Sequence, residues 1–191
     1  MHAFVQENVT TPLESALGLT LKRVIYRCLS WECTYEDVEG PLFYMGGEVE
    51  LRFDDGPADQ AVVFLSWNKV PEPWRTDLHL DYCIEASLWE PFFTAGGIEP
   101  YDATRTSLWA PLVGTRLEKV DLLGREGIPY ALRFSFVGGV TYIGSGTAIN
   151  GGWGFGDGDD TLVGSEDEVA PQFEWRFPEA RLEHIATVGE K

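Results

Sequence analysis

The chain has 191 residues, 44% of them hydrophobic, and carries 31 Asp and Glu against 14 Lys and Arg, a formal charge of -17. That length and apolar content suit one large domain or two small, closely packed ones and exclude an overall disordered chain. So negative a field repels nucleic acid and anionic membrane, and it speeds encounter with a basic protein, although acids on a surface also serve plain solubility.

Met1 to Asn8 show no basic segment followed by an apolar one. No apolar run approaches the roughly 20 residues of a membrane-spanning helix. The expectation is a soluble, cytoplasmic protein with no membrane partner. Cys28, Cys33 and Cys83 are odd in number and lack a C-x-x-C pair, which predicts reduced thiols, with Cys28 and Cys83 acting as small buried hydrophobes.

In chain order, Thr11-Pro12-Leu13-Glu14 through Gly18 reads as a short helix, with Pro at its start and a terminal glycine. Glu48 to Phe53 alternates polar and apolar residues, Asp54-Asp55-Gly56-Pro57 breaks the pattern, and a hairpin into Ala61 to Trp67 follows. Val70 to Trp74 and Glu99 to Asp102 are loop-like. Leu78 to Glu85 alternates again, with His79, Asp81 and Glu85 on its polar face. Ser107 to Gly114 matches the first helix but carries Pro111 in mid-run, which weakens a helix there. Leu117 to Leu123, Tyr130 to Val137 and Val140 to Ile143 are strands separated by Gly124 to Gly127 and by Gly138-Gly139. Phe173-Glu174-Trp175-Arg176-Phe177 is a tail strand with three aromatics at period two.

The order of these signals repeats. Gly18-x-x-Leu21-x-x-Val24, Leu51-Arg52-Phe53 and Ala61 to Ser66 are echoed by Gly114-x-x-Leu117-x-x-Val120, Leu132-Arg133-Phe134 and Val140 to Ser145. The predicted fold is therefore mainly β and antiparallel: two degenerate copies of a β-meander with one or two short helices. Residues 1–88 form the first copy, 89–110 an aromatic connection and 111–191 the second copy, together one compact unit.

Asp157 to Glu168 places oxygen side chains at positions one, three, five, nine and twelve of a twelve-residue calcium loop. Position six, where a glycine makes the sharp turn, is Leu162, and no helix flanks the loop. Gly156-x-Gly158-x-Asp160-x-Leu162 also looks like one unit of a calcium-binding nonapeptide repeat, but no stacked neighbours follow. An acidic hairpin end in which Leu162 and Val163 begin a strand fits better, and neither a metal nor another cofactor is expected.

From Phe134 to Trp175 there are seven acids and no Lys or Arg. Trp153 and Phe155, set among glycines, precede Asp157, Asp159, Asp160, Glu166, Asp167 and Glu168. Aromatic anchors beside uncompensated acids make a candidate surface for a basic protein partner. The same two rings could instead plug the end of the core. A second aromatic stretch, Trp89-Glu90-Pro91-Phe92-Phe93 with Tyr101 and Trp109, reads first as core packing and second as a surface.

Catalytic signals are few: His2 is terminal, His79 shares a face with Asp81, and His184 lies in a charged tail segment. No nucleophile elbow, phosphate loop or H-E-x-x-H occurs, so no catalytic residue is assigned. With its Gly114-x-x-Leu117-x-x-Val120, Leu132-Arg133-Phe134 and Gly156-Asp157-Gly158-Asp159-Asp160-x-Leu162-Val163 elements, the chain resembles small acidic bacterial proteins of the toxin-immunity kind. The resemblance covers residues 110 to 165, with a fainter copy at 16 to 66. It implies a cytosolic inhibitor that binds a cognate toxin domain, such as a basic nuclease or deaminase, and blocks its active site. The alternatives are a small-molecule enzyme with a pocket between the repeats, using His79 and neighbouring carboxylates, and a calcium-dependent β module.

Overall fold

The structure, a computed structural model, describes residues 5–29, 42–56, 59–69, 82–94, 97–125, 127–149, 152–155, 160–165 and 183–189. After a π-helical turn at Gln6–Thr10, one helix, α1 (Thr11–Glu14), leads into twelve described strands. These are β1 (Leu21–Leu29), β2 (Leu42–Met45), β3 (Glu48–Gly56), β4 (Asp59–Lys69), β5 (Tyr82–Leu88), β6 (Ile98–Asp102), β7 (Leu117–Arg125), β8 (Ile128–Phe136), β9 (Gly139–Ile149), β10 (Gly152–Phe155), β11 (Asp160–Ser165) and β12 (Glu183–Thr187). No helix among the described residues is long and apolar enough to cross a membrane. The expected tail strand at 173–177, and residues 78–81 of the strand expected at 78–85, lie outside the described residues.

One sheet runs β5-β4-β3-β1-β6 and the other β12-β7-β8-β9-β11-β2, with β10 paired to β9. All their pairings are antiparallel. Read from the far end, β11-β9-β8-β7-β12 repeats the order of the first sheet strand for strand, so the duplication foreseen in the sequence is a duplication of topology. The two copies meet at a local dyad. Gly18 N donates to Leu117 O (2.8 Å) and Gly114 N to Leu21 O (2.8 Å); Leu21 N donates to Thr115 O (3.0 Å) and Leu117 N to Leu19 O (2.9 Å). Each pair of bonds is the other with the repeats exchanged, and the isolated bridge between Thr20 and Arg116 sits at the centre. Gly18 and Gly114 hold φ of 81° and 83°, a left-handed turn that a side chain would strain. This is why the G-x-x-L element recurs.

The ladders also fix the correspondence between copies. Val24 pairs with Leu51 and Leu21 with Phe53, while Val120 pairs with Phe134 and Leu117 with Phe136. Leu51 and Phe53 are thus equivalent to Phe134 and Phe136, two residues beyond the match read from Leu132-Arg133-Phe134. A shift of two keeps every side chain of that strand on its own face, whereas Ala61 to Ser66 correspond through the ladders to Gly139 to Gly144, one residue before the match read from Val140 to Ser145, and a slip of one exchanges the faces.

The inner faces share one core: Val24, Tyr26, Val49, Leu51, Phe53, Val63 and Leu65 from the first sheet join Val120, Leu122, Leu132, Phe134, Phe136, Ile143 and Val163 from the second. Alternating residues on two antiparallel sheets produce this layering. Leu13 and its dyad equivalent Trp109 are both fully buried, closing the same end of each copy. Around Trp109 the chain makes successive turns, with Ala110 N bonded to Thr106 O (2.9 Å) and Val113 N to Trp109 O (3.0 Å), in place of a second regular helix. Trp109 Nε1 donates to Tyr26 Oη (2.6 Å), and the Tyr26 ring stacks on Phe43 at 5.0 Å.

The insertion in the first copy supplies β2, which joins the second sheet beside β11. Residues 98–102, expected to be loop within a connecting segment, form β6 along β1. Cys28 is disulfide-bonded, which corrects the expectation of three reduced thiols. The absence of a C-x-x-C motif speaks to metal and redox sites and does not exclude a structural disulfide. Cys83 is free and fully buried, as expected of a small hydrophobe.

Candidate functional site

Just past the last residue of β5 the chain presents Trp89, 53% exposed, with φ of 69°. Left-handed backbone costs a residue with a Cβ about 1–2 kcal/mol, so the conformation persists only if both flanks are fixed. On one flank Trp89 N donates to Val62 O (2.8 Å). On the other, Phe92 N donates to Glu48 Oε2 (2.7 Å), and Arg27 Nη2 donates to Phe93 O (3.3 Å). Arg27 Nε reaches Glu48 Oε1 (2.7 Å), so one ion pair grips the loop at two successive residues. The Phe93 ring packs 6.1 Å from that of Trp67, and the Arg27 guanidinium lies 5.9 Å from the Phe64 ring.

The grip is buried. Glu48 is 0% and Glu50 2% exposed, although the alternation of β3 suggested a solvent face. Loop 89–94 lies against Glu48 through the Phe92 amide, and Arg27 serves both acids, its Nη1 lying 3.7 Å from Glu50 Oε2, while Arg52 pairs with Glu50 Oε1. Burial pushes the Glu48 carboxyl above the usual range, against the pull of the Phe92 amide, Arg27 and the Phe93 amide. Trp89 is therefore held on a rigid base next to the exposed Glu90. Within this aromatic stretch the surface reading holds for Trp89, the core reading holds for Trp109, and Phe92 and Phe93 are half-buried between the two.

Trp153 and Phe155 lie in β10, paired with Ala148 and Gly146 of β9. β8 pairs with residues 139–144 of β9 and β11 with residues 141–146, so residues 147–149 and β10 form a two-stranded ribbon running on past the sheet. Gly146 pairs with both Phe155 and Asp160, which places β10 and β11 on opposite sides of β9. Asp160 begins β11. Asp157, Asp159, Glu166, Asp167 and Glu168 lie outside the described residues. Leu162 and Val163 are buried in β11, as the hairpin-end reading required. Thr161, the fifth position of the calcium-loop count, is also buried, and its hydroxyl donates to Gly47 O (2.6 Å), which commits that oxygen to the sheet interior.

His79 and Asp81 lie outside the described residues. Glu85, assigned to the same solvent face, is only 9% exposed because β5 is covered on both sides. Burial and the adjacent Glu85 charge push the Cys83 thiol up to about 12, leaving it unreactive. His184 lies in β12 and forms a cluster that the sequence did not reveal. Asp121 Oδ1 accepts from Thr187 Oγ1 (2.7 Å) and lies 3.3 Å from His184 Nε2, with Lys119 Nζ at 2.8 Å, while Arg133 Nη1 lies 3.6 Å from Oδ2. Burial opposes the charge on Asp121, but hydrogen bonds from Lys119 and Thr187, the Lys119 charge and His184 hold its carboxyl below the usual range. The arrangement is not a nucleophile triad: the threonine proton goes to the carboxylate, and a single imidazole nitrogen faces both partners. It is an ion-pair network pinning β12 to β7. The chain matches no family model, no curated protein and no solved structure.

Proposed function

We propose that this chain is a non-enzymatic inhibitor of the toxin-immunity kind, which binds a basic toxin domain and occludes its active site. The observation that carries the reading is Trp89: a large ring exposed beside an acid, on backbone held in a strained conformation by a buried ion pair. Pre-ordered aromatic side chains supply contact area at low entropic cost and are common centres of binding energy. The formal charge of -17 supports the same reading, since it draws in a cationic domain and repels nucleic acid. The ribbon of β9 and β10, with Trp153 and Phe155, and the acids Asp157, Asp159, Asp160, Glu166, Asp167 and Glu168 supply a second contact surface in this proposal.

The two classes of residue act at different stages. Acids steer over a Debye length of about 8 Å at physiological salt, so they set the association rate; rings act after contact and set release. Stopped-flow mixing with the toxin domain should show slower association for Asp157, Asp159 and Asp160 changed together to Asn, most clearly at low salt. Trp89→Ala and Trp153→Ala should dissociate faster. Unchanged kinetics in all three variants would show that the binding surface lies elsewhere.

A further inference from the structure

Beside the edge strand β6, a cavity of about 470 Å³ is lined by Lys22, Arg23, Tyr101, Asp102, Thr104 and Arg105, among others. In a chain with 31 acids and 14 bases, three cations here face one carboxylate. The ladder explains how two consecutive side chains reach one cavity: β1 bulges against β3 between Leu21 and Arg23, and a bulge re-aims the extra residue, Lys22. The opposite wall is equally fixed. Asp102 Oδ1 accepts from Thr104 N (3.1 Å), Thr104 Oγ1 donates to Val24 O (3.3 Å), and Ala103 N donates to Val24 O (3.0 Å), which sets the turn carrying Arg105.

The charges do not cancel. Asp102 Oδ2 takes Arg23 Nε (3.1 Å) and Nη2 (2.9 Å), two of the five donors of that guanidinium. Among the described residues no carboxylate pairs with Lys22 or Arg105. Two positive charges remain in excess.

The second copy shows what the fold does when this position is self-contained. Through the dyad and the ladders Lys22 corresponds to Glu118, Arg23 to Lys119, Ile25 to Asp121 and Asp102 to Thr187. There Lys119 is matched by Asp121 at 2.8 Å, inside the network with Thr187 and His184. In the first copy Ile25 stands where that acid would be and Asp102 serves Arg23 instead, which leaves Lys22 and Arg105 facing the cavity with no carboxylate paired to them among the described residues.

The geometry points to a binding site for a compact dianion on an organic body: a small phosphomonoester, its phosphoryl group on Lys22, Arg23 and Arg105 and its body along Tyr101. A phosphomonoester carries a charge of about -1.5 to -2 at neutral pH, which matches the excess, and Arg is the residue suited to its oxygens. The cavity falls in the size range of small-molecule sites. The site is independent of the proposed toxin contacts.

Titration calorimetry of the full chain with inorganic phosphate, phenyl phosphate and benzoate tests this. Both phosphates should give saturable one-to-one heats, with phenyl phosphate the tighter. Benzoate, a monoanion with the same ring, should bind at least about tenfold more weakly than phenyl phosphate, and Lys22→Ala and Arg105→Ala should each weaken phosphate by about tenfold, the loss of one charge-assisted hydrogen bond. Lys22 and Arg105 are exposed, so the variants should melt with the wild type, and Lys119→Ala, at the position of the second copy equivalent to Arg23, should bind phosphate normally. The proposal is overturned if neither phosphate gives saturable heat, if binding survives the Lys22→Ala, Arg105→Ala double change, or if benzoate equals phenyl phosphate.

Discussion

Trp89→Gly should be more stable than Trp89→Ala, the reverse of the usual order. Both substitutions remove nearly the same half-exposed ring, so the packing of the indole disappears from both variants and cancels between them. What differs is the backbone at φ of 69°. Alanine keeps a Cβ and with it a left-handed penalty of about 1–2 kcal/mol; glycine escapes the penalty but loses about 0.5–1 kcal/mol more chain entropy on folding. The difference favours glycine by about 0.5–1 kcal/mol, well within reach of paired urea denaturations. At an ordinary β or helical position the sign is opposite. If Trp89→Ala is the more stable, residue 89 is not left-handed, and the argument that a buried ion pair holds the ring in a strained, pre-ordered pose fails.

Gly18→Ala and Gly114→Ala occupy dyad-related left-handed turns and should each cost about 1 kcal/mol in denaturant melts; strongly unequal losses would contradict their equivalence. Gly47→Ala should destabilise by about 2 kcal/mol or more, because its Cβ would lie 2.0 Å from Arg27 O, and nuclear magnetic resonance should show the Phe92 amide shifting as Arg27 and Glu48 move; a neutral variant would refute that close approach. Asp121 has its folded pKa below the unfolded value of about 3.9, so its charge contributes stability at neutral pH and loses it as pH falls through the folded value. Asp121→Asn should accordingly be less stable than wild type at neutral pH and converge with it in acid, and a gap independent of pH would exclude the network.

The meanders were legible because each repeat opens on a glycine that its turn requires and because strand alternation survives a register slip of two residues. The faces were less legible. Glu48 and Glu50 alternate as solvent-facing residues do, but the loop after β5, about forty residues away, bonds Glu48 through the Phe92 amide, and Arg27 and Arg52 pair with Glu50. Arg27, on the same strand face as the apolar Ile25 and three residues past Val24, was the available signal that those acids had a counter-charge. β6 and β12 were missed because Pro100 and the charged tail argue locally against strands, whereas each is an edge strand that pairs with one neighbour among the described residues. The Lys22 cavity was invisible for a related reason. Its lining joins residues about eighty positions apart, and the bulge that aligns Lys22 with Arg23 is a property of pairing and not of local sequence.

The most direct test of the inhibitor reading is a neutralisation titration: the purified chain is added to basic toxin domains of the nuclease and deaminase classes, and toxin activity is followed against molar ratio. The account predicts loss of activity that saturates at one chain per domain at low salt, with Trp89→Ala requiring an excess. Undiminished toxin activity at saturating concentrations of the folded chain would contradict it.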